Sequence, residues 1–92
     1  MISVTDAAKE LLKETLLAHT DERELGLRLR MEADGDFGLI VDREAEGDQV
    51  VEHDRLKVLL VAEEVAAMLK RNTLDVRDTA DGRSELVLLI TG

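Results

Sequence analysis

Residues 25–38, LGLRLRMEADGDFG, constrain the fold more tightly than any other stretch of the chain. Leu25, Leu27, Leu29, Met31 and Ala33 fall on one side of a two-residue period, with Gly26, Arg28, Arg30 and Glu32 on the other. That alternation predicts a strand over residues 25–33, one face on a core and the other in water. Asp34-Gly35-Asp36 supplies turn residues, and residues 37–42 are predicted to return as a second strand, apolar on both faces near its middle.

The remaining elements follow in order. Ile2-Ser3-Val4 suits a sheet edge, and Thr5 reads as a helix N-cap with Asp6 at the positive end of the dipole. Val4, Ala8, Leu11, Leu12 and Leu16 share one side at helical spacing, which predicts a helix over residues 6–18. Leu17 falls on its polar side, and residues 19–23 read as a polar loop. Residues 43–48 are predicted as a surface turn, 49–52 and 56–61 as strands, and 62–71 as a second helix with Val61, Val65, Met68 and Leu69 on one face. Asn72 is its expected stop. Residues 73–79 and 85–91 complete the set as a hairpin around Asp81-Gly82. The run Leu86-Val87-Leu88-Leu89-Ile90 has no polar face. It is expected to be core, or, where one face is left bare, the leading candidate for self-association.

Composition narrows the function. Ninety-two residues suffice for one domain, residues 1–92, with a core of Leu, Val, Ile, Ala and Met, since Phe37 is the single aromatic residue. A net charge of −9 repels a phosphate backbone or an anionic membrane, so neither nucleic acid nor membrane is an expected partner. The chain has no cysteine, which removes disulfides, thiol nucleophiles and thiolate metal sites. MISVTDAAKE has no signal-peptide pattern, and the longest apolar run, residues 58–62, is too short for a membrane span. A cytoplasmic protein is expected.

The strings Ile2-Ser3-Val4-Thr5-Asp6-Ala7-Ala8, Gly26-Leu27-Arg28-Leu29, Gly35-Asp36-Phe37-Gly38 and Leu74-Asp75-Val76, with the strand pair over residues 50–61, occur in a recognisable order. In that order the chain resembles the HesB/IscA-like family of A-type iron–sulfur cluster carriers. The resemblance implies an α+β, mostly β fold: a HesB-like, sandwich-type domain with two flanking helices. It also implies a lineage whose members hold a cluster, or iron, through three cysteines, one in a Gly-Cys-x-Gly turn and two in a Cys-Gly-Cys near the C-terminus. Here Asp36 stands in the turn and the sequence reaches Gly92 without a Cys-Gly-Cys. No cluster ligand carries over, and no cofactor is expected.

The densest set of hard oxygen donors is Asp34-Gly35-Asp36, with Asp42, Glu44, Glu46 and Asp48 downstream. Asp34 and Asp36 are the candidate metal ligands, for Ca²⁺, Mg²⁺ or Fe²⁺, weighed against two solvated turns on an acidic protein. His19 and His53 are expected at the surface, and no serine or threonine has nucleophile context. Arg28 and Arg30 are expected to pair with acids on the sheet, or else to grip a carboxylate or phosphate. Glu85 is expected to pair with Arg77 or Arg83. These features point to a non-enzymatic, protein-binding accessory factor related to iron–sulfur cluster biogenesis. A carboxylate metal binder is the alternative.

Overall fold

The computed structural model describes residues 1–90; Thr91, expected to end the last strand, lies outside the described residues. Two sheets and two helices enclose one hydrophobic core. The larger sheet has the order β3-β2-β5-β4, built from β2 (Leu25–Met31), β3 (Phe37–Arg43), β4 (Gln49–His53) and β5 (Leu56–Val61). It consists of two antiparallel hairpins, β2–β3 and β4–β5, joined by a parallel contact between β2 and β5. The smaller sheet has the order β1-β6-β7, from β1 (Ser3–Val4), β6 (Asn72–Asp78) and β7 (Ser84–Ile90). In it β1 runs parallel to β6, while β6 and β7 form the expected hairpin.

Helix α1 (Asp6–His19) begins as its sequence dictates. The Thr5 hydroxyl accepts the Ala8 N–H at 3.2 Å, and donates to Asp75 Oδ1 at 2.8 Å. Ala8, Leu12 and Leu16 are buried, and the helix lies against β5 and β6, bridging the two sheets. Leu17 stays 49% exposed, as its place on the polar side implies. The amide of Gln49 further ties the sheets by exchanging two 3.0 Å hydrogen bonds with the N–H and carbonyl of Ile2.

Three expectations change. Strand β2 stops at Met31, not Ala33, because the turn closes earlier: Glu32 N–H donates to the Asp36 carbonyl at 2.8 Å, and Gly35 N–H to the Glu32 carbonyl at 3.1 Å. Gly35 takes φ +87°, a conformation open to glycine at no steric cost. Helix α2 (Glu63–Met68) is shorter than residues 62–71. Asn72 begins β6 by pairing with Ile90, so Lys70 and Arg71 belong to the intervening turn; Leu69 is buried as expected, but Ala66 is buried in place of Met68, which is 65% exposed. The strand covered on both faces is β5, with Val58, Leu59, Leu60 and Val61 at 0% exposure, rather than β7. In β7, Leu86 and Leu88 pack on the core, while Leu89 and Ile90 are 43% and 83% exposed.

Candidate functional site

The β2–β3 turn projects the acidic residues singled out from the sequence. Asp34 Oδ1 accepts the Asp36 N–H at 3.0 Å, and Asp36 Oδ1 accepts the Phe37 N–H at 2.9 Å. Each carboxylate thus uses one oxygen to hold the turn, the usual work of aspartate in such a loop. Both residues are exposed, and Phe37 anchors the turn by packing its ring on the core. Beside the turn lies an open groove of about 730 Å³, bounded by Gly35, Asp36 and Phe37 on one side and by the β6–β7 hairpin on the other. Its floor is mixed: Val87 and Leu89 beside Arg77, Glu85 and Asp75. Arg77 pairs across the hairpin with Glu85, the expected partner.

The downstream acids do not join this turn. Asp42 lies six residues beyond Asp36 along β3, roughly 20 Å away at strand rise. Residues 44–48 carry the chain from β3 at one edge of the sheet to β4 at the other, and Arg28 pins that crossing. Its Nε donates to Asp42 Oδ2 at 2.6 Å, its Nη1 and Nη2 reach the two oxygens of Asp48 at 3.0 and 2.7 Å, and Nη2 also donates to the Arg43 carbonyl at 3.0 Å. Asp48 in turn accepts the Ala45 N–H at 2.7 Å. The Arg28 side chain is 15% exposed and that of Asp48 only 3%.

This is a bidentate, desolvated ion pair of the strong kind. Hydrogen bonds from Arg28 hold both the Asp48 and the Asp42 carboxyls below the usual carboxylate range, and the guanidinium is held further above its own. The expectation that Arg28 pairs with acids on the sheet is met, with every oxygen of Asp48 in use. Glu44 is engaged elsewhere, 3.2 Å from Lys57 Nζ.

The histidines separate. His19 closes α1, its Nδ1 2.8 Å from the Thr15 carbonyl. His53, at the end of β4, is half-buried instead of lying in a loop, and its Nε2 contacts Glu10 of α1, with Asp54 Oδ2 3.7 Å away. Lys13 Nζ reaches that same Asp54 oxygen at 2.7 Å; its hydrogen bond holds the Asp54 carboxyl below the usual range. Asp54 and Arg55 both have positive φ, 52° and 68°, forming the two-residue turn that aims Asp54 back at α1. Sequence reasoning missed this group. Its members are 43 residues apart, and only the helical spacing of Glu10 and Lys13 hinted that one face of α1 would present both.

Among the described residues no helix is long and apolar enough to cross a membrane. No protein-family model matches the chain, and no curated protein does. Solved structures do match it, two of them as follows. SufA of Escherichia coli, described as involved in biosynthesis of iron–sulfur clusters, superposes with a TM-score of 0.68 at 19% identity, over 97% of this chain and 84% of SufA. IscA, solved with a 2Fe–2S cluster, gives a TM-score of 0.60 at 20% identity, over 98% of this chain and 85% of IscA. The fold is therefore HesB/IscA-like, as the order of elements and local strings implied.

Proposed function

We propose that this protein is a non-enzymatic accessory factor of iron–sulfur cluster biogenesis that binds a protein partner and ligates no cluster of its own. One observation carries the reading: a fold shared with SufA and IscA presents, at the turn between Gly35 and Gly38, an aspartate already committed to backbone hydrogen bonding. Iron–sulfur clusters are held by thiolates, with imidazole substituting in some centres. The chain has no thiol, and its two histidines are engaged at the end of α1 and beside Glu10. The residues present do not fit a cluster. What the scaffold retains is a surface, and recognition of a partner is the role such a surface supports without chemistry of its own.

The test is affinity purification of the tagged protein from its native cell, with mass spectrometry of what co-purifies. Cluster-assembly factors or iron–sulfur apo-proteins are expected among the enriched proteins. Their consistent absence would contradict the assignment.

A carboxylate metal site at Asp34 and Asp36 is the second reading. It is favoured by the exposure of both carboxylates on one tight turn, each with one oxygen tied to a backbone N–H. On that reading, calorimetry with Ca²⁺, Mg²⁺ or Fe²⁺ gives saturable binding that Asp36→Asn removes. A titration that Asp36→Asn leaves unchanged rules the turn out.

A further inference from the structure

We infer that Glu10, His53 and Asp54 form a binding site for a single borderline transition-metal dication of the Zn²⁺ class, made of residues other than those of the acidic turn. The three side chains each offer one ligand atom, all within 4.8 Å of one another, and among the described residues no other group of three does so. They come from segments far apart in sequence, the second turn of α1 on one side and the end of β4 with the β4–β5 turn on the other, so local spacing alone does not explain their convergence.

The donor set is also over-supplied for hydrogen bonding. The Nε2 of His53 offers at most one proton, which Glu10 accepts, and Asp54 Oδ2 at 3.7 Å is beyond its reach. Two carboxylates face one imidazole nitrogen, and the Lys13 ammonium beside them balances only one of the two charges. Ligands about 2.1 Å from a tetrahedral metal stand roughly 3.4 Å apart, so His53 and Asp54, at 3.7 Å, need to move only a few tenths of an ångström. The Glu10 side chain, 56% exposed, is free to swing away from the ring to the same spacing.

One nitrogen and two oxygens suit Zn²⁺, Co²⁺ or Fe²⁺ better than Ca²⁺ or Mg²⁺, which take oxygen shells, and water would complete the coordination. Lys13 is the built-in competitor. Its ammonium occupies Asp54 Oδ2 and holds a positive charge beside the site. Metal binding must displace that contact.

The experiment titrates the purified protein with Zn²⁺ by calorimetry and with Co²⁺ by visible absorption. One saturable site per chain is expected, with the absorption of a low-coordinate Co²⁺ site. His53→Ala is expected to weaken binding by more than about 100-fold, beyond the loss typical of an outer-sphere partner, and Glu10→Gln should weaken it as well. Lys13→Met removes a like charge and should tighten binding roughly tenfold. Asp36→Asn should leave Zn²⁺ binding unchanged, which separates this site from the acidic turn. Zn²⁺ should also raise the melting temperature, because it bridges α1 to the β4–β5 hairpin, and that rise should vanish in a folded Glu10→Gln variant. No saturable Zn²⁺ binding, or weak multi-site binding that neither His53→Ala nor Lys13→Met alters, would overturn the inference.

Discussion

Replacing Arg28 with methionine is expected to lower stability by about 3 kcal/mol, read as a shift in the urea midpoint at neutral pH. The loss has a specific origin. Methionine fills much of the volume of the arginine stem but leaves the Asp48 carboxylate, 3% exposed, without the guanidinium that meets both its oxygens. Burying an unpaired charge is costly, and the figure sits at the low end of the range because Arg28 itself retains 15% exposure. The double variant Arg28→Met with Asp48→Leu should recover most of the loss, since an apolar pair buries no charge.

The pH dependence supplies an independent sign. In the native protein Arg28 lowers the folded pKa of Asp48, so the stability this carboxylate contributes is present above its unfolded value of about 3.9 and lost as pH falls through the folded value. In Arg28→Met the partner is gone and burial, opposed only by the weaker Ala45 N–H hydrogen bond, raises the carboxyl. Its contribution then reverses, and stability should fall as pH rises above about 4. Parallel urea titrations between acid and neutral pH would show the two slopes. Equal slopes would mean that the pair is not what pins residues 44–48.

Gly26→Ala is expected to be nearly as damaging, at about 2–3 kcal/mol, through overpacking rather than charge. A Cβ at this position would stand 2.5 Å from the Lys57 carbonyl oxygen and 3.2 Å from Leu60 Cγ. The first of those is backbone of β5, which cannot rotate away, so β2 and β5 must separate where the two hairpins are joined. Gly38→Ala is the control, since its Cβ would meet only the flexible end of Glu32, at 3.0 Å. It should change stability by less than about 1 kcal/mol, with any cost offset by the lower chain entropy of alanine. Urea midpoints for the two variants should therefore differ clearly, although both exchange a strand glycine for alanine.

Local patterns made much of this fold legible. The two-residue period of Leu25, Leu27 and Leu29 placed β2, the Thr5 cap placed the start of α1, and Asp81-Gly82 placed the last hairpin, because each is a short-range rule that tertiary packing left intact. The Arg77–Glu85 pair was legible for the same reason, following from hairpin register. What failed depended on neighbours. The apolar runs of β5 and β7 look alike in sequence, and only the sheet order puts one in the centre and the other at an edge. The second helix was read too long because its periodicity continues past Met68, where pairing of Asn72 with Ile90 prevails. Arg28 does pair with Asp42 on the sheet as expected, but Asp48, which reaches it from the loop crossing between the sheet's two edges, could not be placed from sequence.

The site divides in the same way. Asp34 and Asp36 were legible as a turn because aspartate and glycine hold turns through their own backbone, and the structure shows both doing so. The meeting of Glu10, His53 and Asp54 was not, since it depends on how α1 lies across the β4–β5 hairpin.

The proposal that this fold serves without a cluster is tested most directly by anaerobic reconstitution. The purified protein is incubated with ferrous iron and sulfide under reducing conditions, desalted, and assayed by visible absorption and by iron and sulfide content. No cluster absorption bands and no bound sulfide are expected. A stable cluster in stoichiometric amount, retained through desalting, would contradict the proposal.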